Sequence, residues 1–245
     1  MKIIADACNN HLGKWDNIRK MIDQLSVIGI DYIKFQIFTA DKLNKNYPDY
    51  EKFYKLYKQC ELDESMIKNI VLQCEVSGIE PLFTLFDVEK AYMLAMYSDI
   101  VKIASPDCNN WELLDTVFPI FNKVIVSTGM HTLKEIEDML EYYKKYRKKI
   151  VLMYCKSQYP ADYSVADMNK ANRIFDLSRK YGCEFGVSDH GTLCHEEADW
   201  YEHHFTLEKT GGPDDKVSWT IKEFADFMRI GDEYENRIKY KTRWI

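Results

Sequence analysis

Paired cysteines, glycine- or proline-rich linkers and long apolar runs are all missing from this sequence. The chain holds 7 Cys, 10 Gly and 6 Pro among 245 residues. An odd number of cysteines without a Cys-x-x-Cys pair argues against a disulfide framework and against a zinc knuckle. No segment is long and apolar enough to span a bilayer, and the apolar start before Asp6 is too short for a signal peptide. We therefore predict one cytoplasmic domain over residues 1–245, with no membrane partner.

An excess of positive charge is missing as well. Lys and Arg number 33 against 39 Asp and Glu, so the formal net charge is −6. Binding to a general polyanion requires many cations on one surface, and we predict no nucleic-acid partner. Hydrophobic residues, by contrast, make up 46% of the chain, which is enough for one sizeable core.

Short β-branched runs alternate with amphipathic helical patterns from end to end. The predicted strands cover residues 2–6, 32–38, 81–86, 100–103, 124–127, 150–154, 184–187 and 200–205. The predicted helices cover residues 15–28, 65–76, 88–96, 111–121, 133–146 and 166–181. Strict alternation over eight units in about 250 residues predicts an α/β fold, a (β/α)8 TIM barrel. A doubly wound open sheet is the alternative.

Two local features refine this prediction. Gly29, Gly78 and Gly182 each follow a helical pattern, where a helix end favours a left-handed residue. The connection from Asp189 to Trp200 is close to the minimum of about 10–12 residues for a complete crossover. We therefore expect the seventh helix to be shortened or absent. Residues 44–57 follow the second strand and form either a lid or an extra helix.

Polar residues follow nearly every predicted strand. They are Asp6, Lys34, Gln36, Thr84, Lys102, Ser105, Ser127, Ser157, Tyr159, Ser188, Asp189, His190, Glu202 and His204. In a barrel these positions meet at the mouth that carries the active site. Lys34 and Lys102 lie within apolar runs, so burying them calls for an anionic partner, which a ligand in the mouth would supply. Together with the hydroxyls they suit a phosphate ester carrying a carboxylate, whereas a single lysine can also extend to the rim.

Two histidines suggest a metal site. Alternation places Glu202 and His204 on one face of the last strand and His203 on the other. His190 and His204, from adjacent strand ends, can share one weakly held divalent cation. The alternative is that each histidine is simply packed. Asp189 either orients an imidazole or belongs to a turn.

Several segments, in consistent order, resemble the sialic acid synthase family. They are Ile4-Ala5-Asp6 to Asn10-His11-Leu12-Gly13, Ile33-Lys34-Phe35-Gln36-Ile37-Phe38, Phe83-Thr84-Leu85-Phe86-Asp87, Val101-Lys102-Ile103-Ala104-Ser105, Ser127-Thr128-Gly129-Met130, Cys155 to Tyr159-Pro160, Gly186-Val187-Ser188-Asp189-His190, His204-Phe205-Thr206-Leu207 and Gly212-Pro213-Asp214. The resemblance implies a transferase that condenses phosphoenolpyruvate with N-acetylmannosamine or a related aldose. The product is a 2-keto-3-deoxy sugar acid such as N-acetylneuraminate, together with phosphate.

The resemblance also assigns roles to residues. It implies that His190 and His204 bind a divalent cation, usually Mn²⁺, with Mg²⁺ or Co²⁺ as alternatives. Phosphoenolpyruvate contacts fall on Lys34, Thr84, Lys102, Ser105, Ser127, Ser157 and Ser188. The sugar end of the site falls on Gln36, Tyr159 and Asp214. We predict that the catalytic group comprises Asp6, Lys34, Lys102 and Glu202.

The sequence departs from the family on the acceptor side. Asp6 and Asp107 stand where the family has glutamates, so each carboxylate is one methylene shorter. The family carries a C-terminal antifreeze-like domain that sends an arginine into the neighbouring sugar site, whereas this sequence stops at Ile245. That contact is then missing unless a second copy or a separate antifreeze-like chain provides it. A non-catalytic phosphoenolpyruvate- or sugar-binding protein and a metal-dependent pyruvate aldolase are the alternative functions.

Overall fold

Eight parallel strands form a closed barrel in a computed structural model, which describes residues 1–43, 45, 50–193, 195–209 and 214–229. The strands are β1 Lys2–Asp6, β2 Tyr32–Ile37, β3 Glu80–Leu85, β4 Ile100–Ile103, β5 Lys123–Ser127, β6 Ile150–Cys155, β7 Glu184–Asp189 and β8 Trp200–His204. Each strand pairs with the next in sequence, and β8 pairs with β1. The predicted TIM barrel is confirmed, and the open sheet is wrong. Cys194, Gly212, Pro213 and part of the segment 44–57 lie outside the described residues.

Side chains alternate between the barrel interior and the layer beneath the helices. At the amino-terminal end, the interior is filled by a compact apolar cluster of Ile4, Leu82, Ile125, Val151, Met153 and Trp200. Two residues further along their strands, the interior positions become polar, as in Asp6 after Ile4 and Thr84 after Leu82. The barrel is therefore closed below by an apolar floor, and its polar groups lie towards the carboxyl ends.

Helices surround the barrel. They are α1 Trp15–Val27, α2 Tyr50–Cys60, α3 Glu64–Ser77, α4 Ala91–Leu94, α5 Trp111–Ile120, α6 Leu133–Tyr142 and α7 Val165–Tyr181, and residues 221–229 are also helical. Gly29, Gly78 and Gly182 have positive φ, as expected where helices end. From residue 50 onward, the segment predicted as a lid or extra helix belongs to helix α2.

Two predicted helices are shorter in the structure. Residues 88–96 divide into a 3₁₀ turn, Val88–Lys90, and the short α4. The side chain of Asp87 is held by the Thr39 hydroxyl at 2.5 Å instead of capping a helix, and Lys90 donates to the carbonyl of Phe38 at 2.9 Å. Helix α6 stops at Tyr142, and the basic run that follows forms a mainly exposed 3₁₀ helix, Lys144–Lys149.

The connection between β7 and β8 carries no helix among its described residues, as its length predicts. Asp189 organises its start by accepting hydrogen bonds from the Gly191 amide at 2.8 Å and the Tyr163 hydroxyl at 2.7 Å. These bonds satisfy the carboxylate at the point where a helix would otherwise begin.

Within the described ranges, no helix combines the length and apolar character needed to cross a membrane.

Candidate active site

Four charged side chains lie inside the barrel, just above the apolar floor. Asp6, Lys34, Lys102 and Glu202 are each only 3% exposed. Lys34 Nζ lies 2.7 Å from Asp6 Oδ2 and 3.9 Å from Glu202 Oε2. Lys102 forms an ion pair with the other oxygen of Glu202. Glu202 therefore lies between the two lysines.

These buried pairs change the expected role of the lysines. The sequence suggested that a bound anion balances their charge, whereas the protein's own Asp6 and Glu202 already do so. The formal charges of the four groups cancel, which makes their burial tolerable. An anionic ligand would therefore join a balanced cluster and redistribute its contacts.

Burial and neighbouring charges act differently on the two lysines. Burial opposes the charged form of Lys34, but Asp6 and Glu202 outweigh it and raise the pKa of Lys34. Burial lowers the pKa of Lys102, and Glu202 offsets this only in part. For Glu202, burial is outweighed by Lys102 and Lys34, which lower its pKa. Of the two lysines, Lys102 is therefore the one whose positive charge a further anion would stabilise most.

Hydroxyl groups line the same part of the barrel. Thr84 accepts a hydrogen bond from Lys34 at 3.0 Å, and Ser188 donates to Glu202 Oε1 at 2.8 Å. Ser105 lies 2.8 Å from the Cys155 sulfur and accepts from the Gly129 amide at 3.1 Å. The buried Ser127 hydroxyl has no hydrogen-bond partner within the described part of the chain, so it remains available to a ligand.

The two predicted metal-binding histidines lie side by side. Their ring centroids are 5.1 Å apart, and both side chains are buried. His190 Nδ1 lies 2.8 Å from the carbonyl oxygen of Lys156, which can only accept. Nδ1 therefore carries the proton, and Nε2 keeps a free lone pair of the kind a metal ion needs. Tyr159 stacks on His190 at 4.2 Å and covers the pair from outside.

A second potential ligand group shares His204 with this pair. Asp6, Cys8 and His204 each place one ligand atom within 4.8 Å of the other two, and all three are buried. The buried Nδ1 of His204 has no hydrogen-bond partner among described residues and lies 3.6 Å from Asp6 Oδ2. Oxygen, nitrogen and sulfur donors of this kind fit a divalent cation.

The remaining predicted substrate-binding residues lie in different parts of the mouth. Gln36 donates to the Cys8 sulfur at 3.1 Å, and Asp214 also hydrogen-bonds to Cys8, so both lie beside the ligand group above. Burial raises the pKa of Asp214. Asp107 instead lies in the 3₁₀ turn Ser105–Asp107 after β4, where it accepts from Asn110 at 3.0 Å. Ser157 is exposed at the rim near Gly129, and Tyr159 lies over the histidines.

Asp189 does not contact the imidazole of His190. It accepts a hydrogen bond from the Tyr201 hydroxyl at 2.8 Å, and its Oδ2 lies 3.8 Å from His203 Nε2. His203 in turn stacks on Trp219 at 3.7 Å, outside the barrel. Alternation along β8 therefore separates His203 from His204, as predicted.

Sequence reasoning missed Cys8 and Gly129 as site residues. Nothing in the sequence distinguishes Cys8 from the other cysteines. Its positive φ of 44° is visible only in the structure. At Gly129, a Cβ atom would lie 2.6 Å from the Cys155 sulfur and 2.9 Å from the Cys155 backbone oxygen. Only glycine allows the chain to approach the backbone of Cys155 this closely. The available signal was the Ser127-Thr128-Gly129 sequence directly after a strand.

A closed (β/α)8 barrel with buried lysines, carboxylates and histidines at the carboxyl ends of its strands is the architecture of an enzyme with its active site in the mouth. The NeuB family model matches residues 21–242, and the chain belongs to this family. The predicted resemblance to sialic acid synthases, and with it the prediction of an enzyme, is confirmed.

Similar proteins include synthases of related sugar acids. The chain is 30% identical to the N,N'-diacetyllegionaminic acid synthase of Campylobacter jejuni over 90% of this chain and 72% of that protein. It is 30% identical to the pseudaminic acid synthase of the same organism, over 91% of this chain and 70% of that protein. A solved N-acetylneuraminic acid synthetase from Leptospira borgpetersenii superposes with a TM-score of 0.85 at 28% identity, covering 96% of this chain and 84% of that one.

Proposed function

We propose that this protein condenses phosphoenolpyruvate with an aldose, N-acetylmannosamine or a related sugar, to give a 2-keto-3-deoxy sugar acid and phosphate. The observation that carries the proposal is the pair of buried lysines, Lys34 and Lys102, at the mouth of the barrel. Membership of the NeuB family and the names of the similar synthases support this reaction class.

The lysines and hydroxyls suit the phosphate and carboxylate of phosphoenolpyruvate. Lys34 and Lys102 supply positive charge in a buried environment, where charge-assisted hydrogen bonds are strong. The unpartnered Ser127 hydroxyl, with Thr84, Ser105 and Ser188, supplies donors around them. Ser157 at the rim completes the proposed contacts to this substrate.

A divalent cation belongs to the proposal as well. His190 and His204 would hold it, since the lone pair of His190 Nε2 is free and His204 lies beside it. Such a cation, for which we propose Mn²⁺ with Mg²⁺ or Co²⁺ as substitutes, polarises the aldehyde oxygen of the acceptor when bound. On the acceptor side, we assign contacts with the sugar to Gln36, Tyr159, Asp214 and Asp107, of which Gln36 and Asp214 lie beside Cys8 and Tyr159 lies beside His190.

The reaction balances with one water molecule. The methylene carbon of phosphoenolpyruvate forms a bond to the aldehyde carbon, and water adds to the carbon that carries the phosphate. The bond from that carbon to the phosphate oxygen then breaks, which leaves the 2-keto group and inorganic phosphate. We assign the orientation of this water to Glu202 Oε2, which has no hydrogen-bond partner in the described ranges. Lys34 and Lys102 stabilise the negative charge of the departing phosphate.

Phosphate release tests the proposal. The chain is incubated with phosphoenolpyruvate and Mn²⁺, with each member of a panel of aldoses and with no acceptor. We expect phosphate to appear only with an acceptor, in equal amount to a 2-keto acid detected by mass spectrometry. Binding of phosphoenolpyruvate without turnover on any aldose would instead indicate a binding protein. Turnover with free pyruvate in its place would indicate an aldolase.

The cation is tested separately. Crystals soaked in Mn²⁺ should show an anomalous scattering peak next to His204, and His204→Ala should lose cation-stimulated turnover while keeping its circular dichroism spectrum. A soaked crystal without a peak at either histidine would contradict the proposed role of the cation.

A further inference from the structure

We propose that Cys8 is a metal ligand: its sulfur, which loses its proton on binding, joins Asp6 and a ring nitrogen of His204 in coordinating the divalent cation in the barrel mouth. The inference deepens the proposed function. Whether this cation takes part in turnover rests on that proposal. A sulfur ligand is not part of the set predicted from the sequence, which comprises His190 and His204 alone.

The spacing of the three groups supports coordination. Their ligand atoms all lie within 4.8 Å of one another, and the Asp6 oxygen and His204 Nδ1 are 3.6 Å apart. Metal bonds of about 2.0 Å to nitrogen or oxygen and about 2.3 Å to sulfur place the ligands of a tetrahedral ion roughly 3.3–3.6 Å apart. Small side-chain movements therefore close the group around one ion.

The backbone at Cys8 fixes the geometry of the group. Its φ is 44°, in the left-handed region that non-glycine residues seldom occupy. The Cys8 amide donates to Asp6 Oδ1 at 3.0 Å, so the turn fixes the carboxylate and the thiol relative to each other. A strained position held next to ionisable groups is a common property of functional sites.

The unsatisfied nitrogen of His204 is a second, independent observation. His204 is 6% exposed, and its Nδ1 has no hydrogen-bond partner among the residues that the structure describes. A buried polar nitrogen in this state is destabilising unless something binds it. The Asp6 oxygen 3.6 Å away is too far for a hydrogen bond but correctly placed for a shared ion.

Lys34 does not prevent binding. It holds Asp6 Oδ2 at 2.7 Å, so an incoming cation competes with its ammonium group. Lys34 has two other partners within reach, the Thr84 hydroxyl at 3.0 Å and the unpartnered Glu202 Oε2 at 3.9 Å. Moving towards Glu202 frees Asp6 for the ion and satisfies the second carboxylate oxygen.

A thiolate in the site changes which ions it prefers. Sulfur ligands favour Zn²⁺ and Co²⁺, whereas Mg²⁺ prefers oxygen alone. The proposed set of sulfur, nitrogen and oxygen therefore predicts tighter binding of Co²⁺ or Zn²⁺ than of Mg²⁺.

Cobalt spectroscopy tests the ligand without requiring turnover. We expect Co²⁺ added to the metal-free chain to give a thiolate-to-cobalt charge-transfer band in the near ultraviolet. Cys8→Gly should remove the band and weaken Co²⁺ binding at least tenfold, and glycine accepts the positive φ, so this variant should fold. Cys8→Ser is a second variant that removes the sulfur. The control is Cys74→Ser, because Cys74 is a buried thiol of helix α3 outside the group, and this variant should keep the band.

The outcomes separate this inference from the proposed function. The same cobalt spectrum in the wild type and in Cys8→Gly, or no Co²⁺ binding by the wild type, would overturn the sulfur ligand. If the two cobalt spectra were the same but phosphate release still depended on a cation, the synthase proposal would stand without the sulfur ligand. A cobalt–sulfur band lost in Cys8→Gly would support the ligand, even if no aldose released phosphate and the synthase proposal failed.

Discussion

The two ends of the barrel interior are built from the same strands but differ completely in chemistry. The amino-terminal end is packed with apolar side chains, among them Ile4, Leu82 and Trp200. The carboxyl-terminal end holds buried ion pairs and histidines, among them Glu202 and His204. Because side chains on one face recur every second residue, the change takes place within a single step along each strand.

This contrast shows how one chain places apolar packing and ionic groups in separate layers of the barrel. The apolar floor stabilises the fold through burial, and it excludes water from beneath the charged groups. Above it, the electrostatic interactions act in a low-dielectric environment and are correspondingly strong. The ionic interactions near the lower end, such as Lys123 with Glu184, are partly exposed and contribute less.

The largest expected effect comes from removing the central carboxylate of the mouth. Glu202→Gln leaves Lys102 buried without its ionic partner. It also removes one of the two negative charges next to Lys34. Breaking a buried ion pair by removing one member costs about 3–5 kcal/mol. Urea denaturation should show a loss of this size, together with loss of turnover.

The matched control for this change is at the other end of the barrel. Glu184→Gln removes a carboxylate that pairs with Lys123, but the Glu184 side chain is 38% exposed. Exposed pairs contribute about 0–1 kcal/mol, so this variant should be nearly as stable as the wild type. Equal losses in the two variants would contradict the difference between the two ends.

A change in the floor should affect stability alone. Leu82→Ala creates a cavity in the apolar cluster, where Leu82 is fully buried. Substitutions of this kind destabilise by about 2–5 kcal/mol. Thermal or urea denaturation measures the loss, and phosphoenolpyruvate affinity at a temperature where the variant is folded should be unchanged. A weakened affinity would show that the floor also shapes the binding site.

A smaller effect concerns the pH dependence of stability. Burial lowers the pKa of His11 to about 4 from an ordinary value of 6.5. The folded state therefore binds fewer protons than the unfolded state between these values, and His11 makes stability fall as the pH drops through this window. Between pH 7 and about pH 4.5, the free energy of unfolding of His11→Gln should fall by about 2–3 kcal/mol less than that of the wild type. If the free energy of unfolding changed with pH in the same way in both proteins, the lowered pKa of His11 would be refuted.

Much of the fold could be predicted from the sequence because the signals are local. Strand alternation and glycines such as Gly78 at helix ends depend only on neighbouring residues, and both predictions are confirmed. The charge balance in the mouth could not be predicted in this way. Lys102 and Glu202 are separated by 100 positions, and only barrel closure brings them together.

The same distinction applies to the candidate site. His190 and His204 were identified from their strand ends, and the structure places them side by side, although their role as ligands stays a prediction. Cys8 was missed because its position beside Asp6 and His204 depends on a left-handed backbone conformation, which no pattern in the sequence predicts.

Calorimetric binding of phosphoenolpyruvate is the most direct test of the claim that the charged end of the barrel is the binding site. Wild type, Lys102→Met and Leu82→Ala are compared under conditions where all three are folded. We expect Lys102→Met to lose about 1.5–3 kcal/mol of binding free energy, roughly a tenfold to 150-fold weaker affinity, because it removes a charge-assisted contact. Leu82→Ala should bind as the wild type does. Unchanged affinity in Lys102→Met would show that phosphoenolpyruvate does not bind at the charged end of the barrel.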